Sequence, residues 1–359
     1  MSLISSDLTK KNRIIGYDLV RTLSFIAIAF QHFTAKLWKL PLFTPFAEVF
    51  FPWKIFETYA HLISFSGQTI LFLTSFLIAM TSVSHKKAIK IIPILLALWV
   101  VSSLFDYEKD TLLLSWDIFP LIALGLAFSV MTYKWMPRAI YFLPFLGFVL
   151  ICIPFWKFES LQQLPLFLRQ MIVGDCSLDL SDWPILPWVG LVFWGYGLGY
   201  WTKTLGQQPL HFIKNEKLFW TLMMIWTPFY WGAYYRMKLG TQFSCEGMRQ
   251  EPIAFLAHLF PVMFILRISL LEKVQDFLKS IKLFTLLSNL ELNKNFGAAY
   301  FLHFFIIDLV IYFQEKNMIN SPELSAFVAI SLLPITEISL RLLKKSYFWI
   351  EASIVIPNK

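Results

Sequence analysis

Long apolar segments recur along the whole 359-residue chain, and they constrain its fold more than any other feature. A helix that crosses a bilayer needs about 20 mostly apolar residues. Segments of roughly this length lie at 14–35, 58–83, 88–105, 111–133, 138–156, 184–202, 217–235, 251–271, 296–314 and 324–345. The sequence therefore predicts an all-α fold, a polytopic transmembrane helix bundle of about ten helices.

The composition argues against a soluble domain. Hydrophobic residues make up 57% of the chain and charged residues 15%, whereas soluble domains have roughly 45–50% and about 25%. We expect a single transmembrane domain over 1–359, with a cytoplasmic lead-in at 1–13 and a cytoplasmic tail at 346–359. The lead-in has no small-residue cleavage site before the first apolar segment, which favours a retained helix over a signal peptide.

Lys and Arg lie mostly in the loops between the apolar segments. With the N-terminus inside, the inside segments carry 19 of them and the outside loops carry 10. Because cytoplasmic loops are enriched in Lys and Arg, this distribution predicts that both termini are inside. Membrane orientation therefore accounts for the formal charge of +8, and no nucleic-acid partner is expected.

The first apolar segment contains ionisable residues, which are costly in hydrocarbon and are functional candidates by default. Asp18 and Arg21 are three residues apart and can meet on one helix face. Arg21 and His32 are eleven residues apart, so they share a face at an axial separation of about 16 Å. The alternative interpretation is a structural Asp18–Arg21 pair at the membrane boundary, with His32 as an interfacial anchor.

Other polar and small residues give weaker indications. His303 lies in an aromatic segment, where a helix-packing role competes with a catalytic one. His85 lies near a helix end and is expected to be wetted. Three cysteines show no metal-ligand spacing, and no metal is expected. A set of small residues predicts close helix packing, although an acyl-chain tunnel would also use them: Gly190, Gly195, Gly197 and Gly199.

Three segments carry a resemblance. RIIGYDLVRTLSFIAIAFQHF at 13–33 contains D-x-x-R, an apolar run and H-F, with ten residues between Arg21 and His32. SDWPILPWVGLVFWGYGLGYW at 181–201 contains D-W-P-I-L-P-W-V-G, which is similar to a D-x-x-P-L-L-P-W-x-G segment, and AAYFLHFFIID at 298–308 contains an aromatic-x-x-H pattern. Together they resemble the acyltransferase-3 superfamily of membrane acyltransferases. The second segment is most similar to its bacterial heparan-α-glucosaminide N-acetyltransferase-like branch.

Two positions depart from the family pattern. Relatives usually have F-x-x-S-G where this chain has LFLTSFLIAMTS at 71–82, so Phe76 stands in place of the glycine. The motif therefore no longer predicts close packing at this point. Thr22 stands where a glycine usually follows D-x-x-R.

The resemblance implies an acyltransferase that takes an acyl group, expected to be acetyl, from cytoplasmic acyl-CoA. The acceptor would be a sugar of an envelope or extracellular glycan. His32 would act as general base or briefly carry the acyl group, and His303 is a further catalytic candidate. Arg21 would hold the donor, and Asp18 would orient Arg21. The basic loops at 86–90, 203–217 and 273–294 could gather the anionic acyl-CoA.

The expected acceptor side is the outside loop 157–183 and the start of the following helix. Asp182 would accept hydrogen bonds from sugar hydroxyls, and the indoles of Trp183 and Trp188 would stack on sugar rings. The expected location is the bilayer of a bacterial inner membrane, and a homo-oligomer is compatible with the sequence.

Two other functions remain open at this point. Polar residues inside a ten-helix bundle also describe a transporter or flippase of a lipid-linked or small hydrophobic substrate, although no inverted repeat is visible. A catalytically inactive relative that serves as a membrane scaffold is the third candidate.

Overall fold

The structure is a computed structural model and describes most of the chain's predicted spans. The described residues are 18, 20–22, 24–25, 66–81, 85–105, 118–153, 155–174, 183–204, 215–237, 264, 267, 271–290, 296–316, 331, 334–342 and 344–345. They are mainly helical and contain no β-strand. The predicted all-α class is therefore confirmed.

The described residues form eleven α-helices with defined bounds. These are α1 Ser66–Thr81, α2 Lys86–Phe105, α3 Ile118–Trp135, α4 Leu143–Cys152, α5 Glu159–Gln162, α6 Leu166–Val173, α7 Ile185–Thr204, α8 Glu216–Met237, α9 Glu272–Ser280, α10 Lys282–Ser288 and α11 Phe296–Glu315. Two 3₁₀ turns, Ala139–Phe142 and Phe155–Lys157, flank α4. The described residues between 18 and 25 are also helical, and we call them the N-terminal helical segment.

The observed helices match the predicted spans closely where both are described. The exceptions are two predicted loops. Residues 157–183 contain α5 and α6, and α9 and α10 occupy 272–288, most of the predicted loop at 273–294. Hydropathy does not detect these four helices because they are too short to cross a bilayer.

The central helix α7 packs against α1, α3 and α4, and its glycines allow close approach. A Cβ atom on Gly190 would lie 2.6 Å from the backbone oxygen of Gly147 on α4. A Cβ atom on Gly199 would collide with the backbone oxygen of Phe76 on α1 and lie 3.0 Å from the Cβ atom of Ala79. The predicted close packing along α7 is therefore confirmed.

Phe76 does not loosen the bundle. Its side chain is 2% exposed, and its ring stacks on that of Phe72 with centroids 6.0 Å apart. Close approach at this point needs one small residue, and Gly199 supplies it from the facing helix. A small residue on either of two packed helices permits the same approach. The motif in one helix therefore could not predict how closely the two helices pack.

Thr22, the second departure from the family pattern, joins two elements. Its side chain is fully buried. Its hydroxyl lies 3.0 Å from the backbone oxygen of Asp18 and 3.1 Å from that of Leu287 on α10, and either oxygen can accept its proton. A glycine could not make the second contact, so Thr22 fixes the N-terminal helical segment to α10.

Among the described residues, α3 is the one helix that is long and apolar enough to cross a membrane by length and composition. Shorter apolar helices lie at Ile70–Met80, Ala88–Val101, Ala139–Cys152 and Ala298–Phe313. Several large apolar side chains face outward: Phe145 is 68% exposed and Met224 is 70% exposed. Soluble monomers rarely expose large apolar patches, and a lipid environment accounts for these side chains.

Candidate functional site

The N-terminal helical segment meets α11 at a buried histidine. Phe25 and His303 are both fully buried, and their ring centroids lie 5.4 Å apart in a T-shaped contact. The ring of Tyr300 makes a second T-shaped contact with His303 at 5.1 Å and a third with Phe119 of α3 at 5.3 Å. His303 therefore lies where the N-terminal segment, α3 and α11 come together.

The predicted residues of the first helix are only partly described. Asp18 and Arg21 are helical and half-buried. Phe25 follows Arg21 by four residues, so the two side chains share a helix face, and this face borders His303 through the Phe25 ring. Arg21 therefore lies on the face of the N-terminal helical segment from which Phe25 contacts His303, while His32 lies outside the described residues.

The predicted acceptor residues lie at the start of α7, and Asp182 falls outside the described residues. Trp183 and Trp188 are 7% and 3% exposed. Their rings pack edge to face with centroids 4.6 Å apart. Because this contact uses ring surface that a sugar would need, stacking of a sugar on this pair stays a prediction.

A second polar cluster, which sequence reasoning missed, surrounds His85 between α1 and α2. His85 is 5% exposed, so the prediction that it is wetted is wrong. Its Nδ1 atom is hydrogen-bonded to the hydroxyl of Tyr196 on α7. The ring of Tyr133 on α3 lies 3.6 Å away and that of Tyr200 on α7 lies 5.6 Å away, centroid to centroid. The ring of Tyr141 contacts that of Tyr200 at 5.4 Å and completes the cluster.

The backbone at His85 is unusual for a residue with a side chain. Its φ of 58° lies in the left-handed region, which few residues other than glycine adopt without cost. Such a conformation persists where the surroundings over-determine it. Here the hydrogen bond to Tyr196 and the tilted Tyr133 ring hold the imidazole in place.

The electrostatic environment keeps His85 neutral. Burial, and to a smaller extent the positive charge of Lys203 at the end of α7, lowers the pKa of His85 from 6.5 to about 4. The imidazole is therefore uncharged at neutral pH. An uncharged ring can share its hydrogen bond with Tyr196 without adding a second cation beside Lys203.

Two sequence patterns belong to this cluster. Tyr196 and Tyr200 are four residues apart on α7 and share a face, and His85 immediately precedes two lysines. Neither pattern is informative until the fold brings the turn before α2 against the end of α7. The contact is long-range, and hydropathy carries no information about such pairs.

Two further sets of contacts join predicted spans to predicted inside segments. Arg267 is 7% exposed and forms a 3.6 Å ion pair with Glu216 at the start of α8. Its guanidinium also lies 5.8 Å from the ring centroid of Phe219. Thr22 contacts Leu287 near the end of α10. Arg267 and Thr22 lie within predicted spans, whereas Glu216 and Leu287 lie in predicted inside segments.

The described residues contain no group of three His, Cys, Asp or Glu side chains that could hold a metal ion. What they offer chemically is a buried imidazole against the N-terminal helical segment and a second imidazole among tyrosine rings. Neither a curated protein nor a solved structure matches the chain. A family model described as heparan-alpha-glucosaminide N-acetyltransferase, catalytic, matches residues 13–228, more than half of the chain, and the protein therefore belongs to this family.

Proposed function

We propose that the protein is a membrane acetyltransferase that takes an acetyl group from cytoplasmic acetyl-CoA and transfers it to a sugar of an envelope or extracellular glycan. Family membership implies acetyltransferase chemistry. The observation that carries the proposal is the extent of the family match, residues 13–228. That range includes the helix with Asp18, Arg21 and His32 and the segment from Asp182 to Trp188.

The proposed architecture is a bundle of about ten helices with both termini inside, in a bacterial inner membrane. We also propose that the chain belongs to the acyltransferase-3 superfamily, and the D-x-x-R…H-F motif at 13–33 supports this. The contacts support the topology, because residues at corresponding ends of different helices meet. His85 before α2 reaches the ends of α3 and α7, and Arg267 reaches the start of α8.

The proposed transfer breaks the thioester bond of the donor and forms a bond from the acetyl carbon to the acceptor nitrogen or oxygen. His32 takes the proton that the acceptor loses, and the coenzyme leaves as a thiol once a proton reaches its sulfur. A neutral imidazole with its usual pKa of about 6.5 suits the role of general base. Arg21 holds an anionic part of the donor, and Asp18 orients Arg21.

His303 is not given a step in the proposed transfer. It lies beyond the matched range, and its contacts with Phe25 and Tyr300 describe a packed aromatic cluster. We propose a secondary role for it, in which its buried ring keeps the helix that carries Arg21 at the centre of the bundle.

The test uses purified full-length protein in lipid nanodiscs with radiolabelled acetyl-CoA. Release of labelled acetate or labelling of a glycan acceptor supports an acetyltransferase. Binding without turnover favours the scaffold, and the absence of both favours a transporter or flippase. His32→Ala should abolish transfer at normal membrane levels, whereas His211→Ala, in a predicted loop, should retain it. Full transfer by His32→Ala would remove His32 from the mechanism.

A further inference from the structure

At the end of the bundle around His85, a buried pair of polar side chains packs against three half-buried tyrosines. We call the pair the floor and the tyrosines the aromatic wall. His85 is 5% exposed and Tyr196 is fully buried, and together they form the floor. Tyr133, Tyr141 and Tyr200 are each half-buried, so these residues keep some exposed surface. The floor holds these rings in a fixed arrangement, because the hydrogen bond and ring contacts connect α3, α7 and the turn before α2.

Exposed basic residues lie on the same segments as the tyrosines of this wall, and we call these basic residues the cationic rim. The exposed basic residues on the contributing segments are Lys86, Lys90, Lys134, Arg138 and Lys203. Lys203 is close enough to His85 for its charge to act on the imidazole. The described parts of the three contributing stretches, 85–90, 133–142 and 199–204, contain no Asp or Glu. The rim therefore carries charge of a single sign without internal neutralisation.

Membrane orientation accounts for the positive charge of these loops. It does not account for the contacts between their side chains. Orientation needs only exposed lysines on wetted loops. It does not need a left-handed His85, a buried histidine–tyrosine hydrogen bond, or three tyrosine rings around one histidine. Backbone conformations of this kind cluster at functional sites, where the surrounding structure pays for the local strain.

We propose that this site, the tyrosine wall with Lys203 and the cationic rim, binds a ligand that combines phosphate groups with an aromatic base. Lysine ammonium groups bind phosphates as point charges, and tyrosine rings stack on bases. Under the proposed function, on which this inference rests, the ligand is the nucleotide end of the acyl donor. His85 and Tyr196 are positioning residues that hold the wall and Lys203, and they do not touch the ligand.

The position of this site also indicates which of the basic segments would bind the nucleotide end of the donor. Segments 86–90 and 203–204 meet at the His85 cluster together with 134–138. By contrast, Leu287 of the 271–290 region is in contact with Thr22 of the N-terminal helical segment. The donor's nucleotide end is therefore assigned to the first group, and the sequence had not included 134–138 among the candidates.

The experiment measures binding of free coenzyme A and of adenosine 3′,5′-bisphosphate to the full-length protein by calorimetry, in nanodiscs of neutral lipid. Lys203→Gln should weaken both ligands about tenfold, because one charge-assisted phosphate contact is lost. Lys203→Arg should restore most of the affinity. Lys157→Gln, beyond the far end of α4, is the matched control and should leave affinity within about twofold.

The positioning role has its own measurement. His85→Ala should raise the dissociation constant for coenzyme A about as much as Lys203→Gln, whereas His85→Asn should do so less. Asn tolerates the left-handed backbone and can hydrogen-bond to Tyr196. Thermal unfolding of each variant, followed by tryptophan fluorescence, shows whether it is folded. A folded His85→Ala variant with unchanged affinity overturns the positioning role.

The outcomes separate this inference from the proposed function. If coenzyme A binds and Lys203→Gln has no effect, the assignment of the site is wrong while the acetyltransferase proposal stands. An effect of Lys203→Gln that appears only in nanodiscs with anionic lipid makes the rim a lipid-headgroup site and also overturns the inference. If neither coenzyme A nor the bisphosphate binds wild-type protein, the result refutes both the proposed donor, acetyl-CoA, and the assignment of a nucleotide to this site.

Discussion

Acidification should destabilise the protein through His85, and the size of the effect follows from its surroundings. Burial and the charge of Lys203 lower the pKa of His85 from 6.5 to about 4. Each unit of pKa difference between folded and unfolded chain is worth about 1.4 kcal/mol, so the full effect is about 3 kcal/mol. Because Lys203 is exposed and its interaction is screened, we expect about 2 kcal/mol.

The sign follows from proton binding. Between pH 6.5 and about 4 the unfolded chain holds a proton on His85 that the folded chain does not. The stabilising contribution is therefore complete above pH 6.5 and is lost as the pH falls towards 4. Among the described residues, the groups that face His85 are Tyr133, Tyr196, Tyr200 and Lys203, and Lys203 is the cation that acts on the imidazole.

The assay compares the unfolding of detergent-solubilised wild type and His85→Asn between pH 4 and 7.5, followed by tryptophan fluorescence. Asn does not titrate in this range and tolerates the left-handed backbone. The stability difference between the two proteins should shrink by about 2 kcal/mol on acidification. All other titrating groups are common to both proteins and cancel. Parallel pH profiles would show that His85 has an ordinary pKa and would refute the buried, neutral imidazole.

Two further changes test the packing. Gly199→Ala should lower the free energy of unfolding by about 1–3 kcal/mol, because the new methyl group meets the backbone oxygen of Phe76 and the Cβ atom of Ala79. Unfolding in detergent measures this, and a neutral result would mean that α1 and α7 can separate freely. Thr22→Val keeps the volume but removes the hydroxyl that reaches Leu287. A loss of about 1 kcal/mol is expected, with faster proteolysis of the 271–290 region, and unchanged proteolysis would count against the contact.

The sequence determined the class and boundaries of the fold. Apolar segments long enough to cross a bilayer have few structural options, so the bounds of α2, α7 and α11 agree with the predicted spans. The short helices α5, α6, α9 and α10 were missed because hydropathy detects spanning length and nothing shorter. The family could also be inferred from sequence, since its motifs are local patterns within 13–33 and 181–201.

The tertiary structure decided which distant residues meet. Phe76 departs from the family motif, yet packing at that point is close because Gly199 faces it from another helix. His85 was expected to be wetted from its place near a helix end, and it is buried because Tyr133 and Tyr196 enclose it from α3 and α7. The physical reason is common to both cases. Hydropathy and spacing are properties of neighbours along the chain, whereas burial and pKa depend on neighbours in space.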